Sequence, residues 1–199
     1  GVMTDHVGLN TTFFTMGGLN LFAFLVALFF LPESRNRQTS EEFTISFKEI
    51  GESNMMRGLF SFQLVQTLGR GGIFAFLPIF ADSIDLSTSL IGVLLSINFS
   101  SWILLTPVGG MIADRFNRRN IIIAGNFIFA AVLIAIPMTD NFGQLLTVLL
   151  IQGTFGALVM PAASALAVEE GRKFGMGSTM SVFFLAMSLG TAVGPILSG

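Results

Sequence analysis

Apolar residues run through this chain in long blocks, and charged residues punctuate them at the interval a bilayer sets. A helix needs about 20 apolar residues to cross the hydrocarbon core. The first block is centred on residues 12–31, between Asp5 and Glu33; the second runs from 57 to 81 and is interrupted only by Arg70. Asp85 and Asp114 bracket a third, Arg119 and Asp140 a fourth, and Asp140 and Glu169 a fifth. A sixth starts near Phe174 and reaches the last residue. The pattern predicts an all-α polytopic membrane protein with six transmembrane helices. A transmembrane barrel needs short alternating strands, and none of these blocks alternates.

The distribution of cations supports the same count. If 33–57 lies on one side and each helix crosses once, that side also receives 114–119 and 169–174. These stretches hold Arg35, Arg37, Lys48, Arg57, Arg115, Arg118, Arg119, Arg172 and Lys173, nine of the ten Lys and Arg; the tenth is Arg70. The opposite loops carry Asp5, His6, Asp82, Asp85 and Asp140 and no cation. By the positive-inside rule the basic side is cytoplasmic. Segment 33–56 is the one long linker, in which Phe43, Phe47 and Ile50 share a helical face while Phe43, Ile45 and Phe47 alternate like a strand. A short amphipathic helix near the membrane surface is the favoured expectation.

Composition narrows the class. Of 199 residues, 52% are hydrophobic and 11% charged, against roughly 25% charged in a soluble domain. The 22 Phe and 22 Gly suit lipid-facing bulk alternating with close helix contacts. With no Cys and one histidine, His6, neither a disulfide nor a His/Cys metal site is available. No basic run points to nucleic acid. The chain opens on Gly and closes within an apolar block, so the expectation is a piece of a longer protein. The long first block has neither the basic flank nor the cleavage site of a signal peptide.

The third block ends Gly109-Gly110-Met111-Ile112-Ala113-Asp114-Arg115-Phe116-Asn117-Arg118-Arg119. This resembles the cytoplasmic loop signature G-x-x-x-D-R-x-G-R-R of the major facilitator superfamily, with Asn117 in place of a glycine. The expectation at that position is a left-handed turn, which Asn tolerates. Gly110 is expected to let two helices approach, and Asp114 to pair with the arginines Arg115, Arg118 and Arg119 or to face a neighbouring helix N-terminus, where negative charge is favoured. The resemblance implies a 12-helix fold of two six-helix halves. Leu31-Pro32-Glu33-Ser34 looks like the close of the sixth helix. The resemblance then makes 1–32 the sixth helix with its preceding outer loop, 33–56 the cytoplasmic central linker and 57–199 helices seven to eleven. The stretch Gly190 to Gly199, with Gly194 and Pro195, also echoes the fifth helix of drug-efflux members. Leu149 stands where that half usually shows an arginine, which favours helices six to eleven.

Candidate transport residues follow. A charge at mid-membrane costs at least ~2.5 kcal/mol on insertion scales and is usually functional. Gln63, Gln66 and Arg70 share one helix face that Phe74 continues, and Gly69, Gly71 and Gly72 allow close packing or a local break. A functional arginine and a structural one paired in the other half stand as equal readings. Asn98 and Trp102 are i, i+4 neighbours able to line the same cavity, as are Gln144 and Gln152 two turns apart. The resemblance makes helices seven, eight, ten and eleven cavity-facing; Asn126, on the peripheral ninth, is set aside. Gly190, Gly194 and Pro195 are expected to shape a helix kink. Glu169 and Glu170 are expected to be solvated helix ends, with a bridge from Glu169 or Glu170 to Arg115 or Arg118 as the other reading.

The spans hold no acidic residue, nucleophile–base pair, phosphate loop or ATPase signature. The reading is therefore a secondary transporter rather than an enzyme. It uses no cofactor beyond a proton gradient, and exports drug-like molecules by alternating access. Its partners are a small-molecule substrate, the lipid bilayer and an N-terminal helix bundle outside this chain, with no nucleic acid. Alternatives are an uptake carrier for an anionic solute and a transport-inactive receptor or scaffold. For the anion carrier, Arg70→Ala is expected to raise the KM for that anion in a flux assay. Unchanged kinetics would remove the alternative.

Overall fold

A computed structural model describes residues 9–30 and 47–199. Two compact units are distinguished, 1–42 and 43–199. The first contains helix α1, Leu9–Phe30, a 22-residue segment without a charged side chain. The second contains α2, Phe47–Glu52; α3, Asn54–Ser83; α4, Thr88–Arg115; α5, Arg118–Ala135; α6, Phe142–Phe174; and α7, Met176–Ser198. A 3-10 turn, Ile136–Met138, extends α5. Among the described residues, five helices are long and apolar enough to cross a membrane. The remaining expected span, the first along the chain, corresponds to α1, whose described apolar stretch is Gly17–Val26. His6, Asp5 and most of the cation-bearing linker, with Arg35 and Arg37, lie outside the described residues.

Helix starts follow the polar punctuation closely. Ser53, Ser87, Asn117 and Asn141 each cap a helix by accepting a hydrogen bond from a backbone N–H two or three residues on. Such caps satisfy amides that otherwise have no partner within the helix. The first long bundle helix accordingly starts just after Ser53, not at Arg57 as the charge pattern suggests. The expected linker helix is present as α2, but Ile50 is buried in a core cluster with Met56, Leu59, Phe62, Ala163 and Phe183. It docks into the bundle where a surface helix was expected; Phe43 lies outside the described residues.

Asn117 departs from the expectation in an informative way. Its backbone has φ −66°, so no left-handed turn is present; its side chain caps α5 by accepting from Arg119 N–H at 3.0 Å. A residue serving as an N-cap needs a short polar acceptor, which glycine lacks. The left-handed positions are elsewhere. Gly175, at φ +92°, is the single residue between α6 and α7. Asp85, at φ 59°, closes α3. There Leu86 N–H donates to Ala81 O and Asp85 N–H to Asp82 O, both at 3.0 Å. This is the paired closure of a Schellman motif.

Packing is organised as two helix pairs that are not sequence neighbours: α3 lies mainly along α7, and α4 along α6, with α5 against α6. Small residues permit both contacts. A Cβ on Gly109 would run into the Ala157 carbonyl of α6, and one on Gly153 would lie 2.8 Å from Asn98 O of α4. By contrast Gly110 faces open space within the described unit. The close approach at this end is therefore made by Gly109, and the expectation for Gly110 is corrected. On the other pair, a Cβ on Gly71 would lie 3.1 Å from Thr191 O, and one on Gly190 would meet Thr67 and Leu64 O. Helix α3 runs unbroken through Gly69, Gly71 and Gly72, so these glycines serve contact and make no hinge. The core divides into two clusters, one around Phe62, Val159 and Phe183, the other around Leu77, Leu94 and Leu145.

Asp85 tests the closure of α3. Left-handed backbone costs an ordinary L-residue about 1–2 kcal/mol, and Gly is spared. Asp85→Val is expected to lower the melting temperature in detergent and Asp85→Gly to hold or raise it. Equal melting of the two variants would refute the motif.

Candidate functional site

Between the two apolar clusters lies a layer of polar side chains. Gln63, Gln66 and Thr67 on α3, Asn98 on α4 and Gln152 on α6 are all buried. They lie well inside their helices, away from the ends marked by caps and charges. The layer surrounds a cavity of ≈ 90 Å³ lined by Gln63, Gln66, Thr67, Arg70, Trp102 and Gln152, closed by Phe62, Phe129, Phe155 and Met187 among others. Five of the seven cavity residues read from the sequence thus meet around one space.

The other two stand apart for identifiable reasons. Phe74 stacks on Phe99 of α4, ring centroids 5.2 Å apart and nearly parallel, so its ring leaves the face of Arg70. Asn98 lies behind the cavity wall. Its amide donates to Leu149 O at 2.7 Å and to Gln152 Oε1 at 2.6 Å. Asn98 thereby ties α4 to α6 and orients the Gln152 side chain. Gln144 lies outside the cavity altogether. It is exposed at the start of α6, accepting from Asp140 N–H at 2.9 Å and donating its own N–H to Asn141.

Arg70 holds the charge of the site. Its guanidinium carbon lies 4.7 Å from the centroid of the Trp102 ring, a cation–π contact. Among the described residues no acid lies within ion-pair distance of it. The indole leans over Gly156, where an added Cβ would lie 3.5 Å from the ring. Gln63 Oε1, Gln66 Oε1 and Trp102 Nε1 are buried without a hydrogen-bond partner among the described residues. Such groups typically cost about 1–3 kcal/mol each.

Several lining residues escaped the sequence reading. Thr67, one turn after Gln63, bonds back to Gln63 O at 2.6 Å; its i+4 position was a usable signal. Phe155 and Gly156 follow Gln152 by three and four positions, again on one face. Helix α5, set aside as peripheral, reaches the cavity through Gly125 and Phe129, while Asn126 does not line it. No polarity in the sequence marks Gly125; its role is to admit Val159.

The charged end of the bundle carries a second constellation. Arg118 contacts Asp114 Oδ1 at 3.6 Å and Glu169 Oε2 at 3.3 Å, joining the α4–α5 corner to the end of α6. These groups are substantially exposed, so the bridge adds at most about 1 kcal/mol. Arg115 and Arg119 are exposed. Glu170 departs from the expected solvated end. It is buried, accepts from Lys173 Nζ at 2.7 Å and from Ser53 Oγ at 3.3 Å, and so fastens α6 to the start of α3. Gly190 and Gly194 face α3 across the α3–α7 contact, so packing explains them, and Pro195 touches Gly71.

Comparison with known proteins adds an independent line. A family profile described as Major Facilitator Superfamily matches residues 59–199. The chain is 25% identical over 128 residues to the multi-drug resistance efflux pump PmrA of Streptococcus pneumoniae serotype 4 (strain ATCC BAA-334 / TIGR4), covering 62% of this chain and 32% of that protein. It is 24% identical over 132 residues to the quinolone resistance protein NorA of Staphylococcus aureus (strain MRSA252), covering 66% and 34%. The chain thus spans about a third of the length of these curated relatives. No solved structure matches it.

The Asn98–Gln152 pair gives a direct test. Asn98→Ala leaves a buried amide oxygen unpartnered and is expected to destabilise by about 1–3 kcal/mol. Thermal unfolding in detergent measures it. Adding Gln152→Ala is expected to cost less than the sum of the single changes, because the two residues share a bond. Strict additivity would remove the link.

Proposed function

The chain belongs to the Major Facilitator Superfamily, and from that membership we propose that the full protein exports small amphipathic, drug-like molecules by alternating access driven by a proton gradient. The observation that carries the reading is the polar layer of Gln63, Gln66, Arg70, Trp102 and Gln152 around a cavity between two apolar clusters. A mid-membrane polar pocket in an otherwise apolar bundle is where a transporter holds its substrate between two rocking halves. Helices α3 to α7 form the C-terminal bundle in this reading, with α1 as the sixth helix and the basic end cytoplasmic. The printed names of PmrA and NorA, an efflux pump and a resistance protein, favour export of drug-like compounds.

A cavity of ≈ 90 Å³ is smaller than the ~300–1,000 Å³ of a typical small-molecule site. The remainder of the binding volume therefore belongs to the facing bundle. Among the described residues the cavity holds no carboxylate, so in this reading the group that takes up the coupling proton lies in that bundle or at a helix end. Arg118, bridging Asp114 and Glu169, biases the cytoplasmic end of the cycle towards one state by at most about 1 kcal/mol. The α3–α7 contact through Gly71, Gly190 and Gly194 lets the bundle move as one body.

Inverted vesicles carrying the full-length protein test this. With a panel of cationic, neutral and anionic fluorescent amphipaths, the expected result is accumulation that a protonophore abolishes. Accumulation insensitive to the protonophore would overturn proton coupling. Absence of flux for the whole panel, in folded protein, would overturn drug export.

A further inference from the structure

We propose that the Arg70–Trp102 cavity is the anchoring subsite for the acidic head of the substrate, and that the head it fits is a carboxylate bearing a neighbouring hydrogen-bond donor. The inference rests on the reading of this cavity as a transport site and adds the chemistry of what it binds. Four groups define it. The Arg70 guanidinium has no acid within ion-pair distance among the described residues, and Trp102 Nε1–H is buried and unpartnered. Both are donors, and they belong to one cation–π pair. On the same helix as Arg70, Gln63 and Gln66 carry unpartnered amide oxygens and line the same cavity, with Gln63 only 1% exposed and Gln66 9%. Donors and acceptors that line one small space call for a ligand with both.

The size of the cavity selects the same head group. An apolar void of about 150 Å³ accepts a benzene ring, so ≈ 90 Å³ takes a compact polar group, and the ring or chain attached to it extends outward. A planar carboxylate matches the fork of a guanidinium two bonds at a time, and such charge-assisted pairs are the strong ones. Its second function, a hydroxyl or an amine, satisfies Gln63 or Gln66. A quaternary ammonium would meet the Arg70 charge at close range in a low-dielectric layer, where like charges repel strongly. The cation–π contact does not use up the guanidinium N–H donors, for which no hydrogen-bond or ion-pair partner is seen among the described residues.

The test is equilibrium binding to purified full-length protein, read by the fluorescence of three naphthalene probes that differ only in their head. They are 4-hydroxy-2-naphthoate, whose hydroxyl cannot reach its own carboxylate, 2-naphthoate and 2-naphthylmethylamine. The hydroxynaphthoate is expected to bind tightest, the naphthoate less tightly and the amine least. Arg70→Gln is expected to weaken both carboxylates at least about tenfold. Should that variant fold poorly, Arg70→Lys and Trp102→Phe serve in its place, the second keeping the ring and removing the N–H. Gln66→Leu is expected to weaken the hydroxynaphthoate about fivefold and leave the naphthoate unchanged, a split that loss of structure would not produce. Equal binding of the amine and the carboxylates, or carboxylate binding indifferent to Arg70→Lys and Trp102→Phe, overturns the proposal. Protonophore-sensitive flux of cations without carboxylate binding would overturn this subsite and leave the transport reading intact. Carboxylate binding without flux of any panel member would overturn transport and leave the subsite standing.

Discussion

The geometry of this bundle depends on how closely α4 can approach α6. Lipid tails are as apolar as leucine, so no hydrophobic force drives one membrane helix onto another, and contact and hydrogen bonding must do it. At Gly109 and Gly153 the side chain is missing just where the partner backbone arrives, at Ala157 and Asn98. That approach brings Asn98 within reach of both Leu149 O and Gln152 Oε1. Gln152 is then oriented as part of the cavity wall, and Trp102, one turn beyond Asn98, leans over Gly156 to meet Arg70. A larger residue at either glycine would separate the helices and unmake each of these contacts in turn.

The polar layer survives in the bilayer because it is enclosed on both sides. Leu77, Leu94 and Leu145 pack on one side of it, and Phe62, Val159 and Phe183 on the other. Within the layer some groups are paired and others are not. Asn98 and Thr67 spend their hydrogen bonds on backbone and on Gln152, whereas Gln63, Gln66 and Trp102 retain unpartnered atoms. The division separates side chains that hold the bundle together from side chains left available to something else. Arg70 belongs with the second group, held over the ring of Trp102 with no acid within ion-pair distance among the described residues.

How much of this was legible in the sequence depended on the kind of signal. Span boundaries were legible because charge and capping residues interrupt apolar runs, and the error at the start of α3 came from weighing Arg57 above Ser53. Gln63, Gln66, Arg70 and Trp102 were legible because polarity on an apolar helix has few explanations. Phe74 misled because a shared helix face does not dictate a rotamer, and Phe99 on another helix drew its ring away. Asn117 misled because a motif position usually held by glycine suggests a backbone need, whereas this loop uses the side chain as a cap. Gly109 and Gly110 could not be told apart by spacing alone; only the position of Ala157 distinguishes them. Glu170 looked like any acid at a helix end, and its burial depends on Ser53, which lies 117 positions away.

The pairing of α3 with α7 also has a consequence for biogenesis. Thr67 and the Ala186 carbonyl it approaches are 119 positions apart, so α3 emerges from the ribosome long before the helix it rests on. At about 5–20 residues per second, the interval is roughly 6–24 seconds. Throughout it the glycine face of α3 lacks its α7 partner, and Arg70 is made before the Trp102 ring that covers it. Trp102, arriving about 30 residues later on α4, brings the ring that covers that cation in the folded bundle. Membrane insertion of this segment thus runs against its own charge at first, and the order in which helices leave the insertion machinery decides how long that exposure lasts.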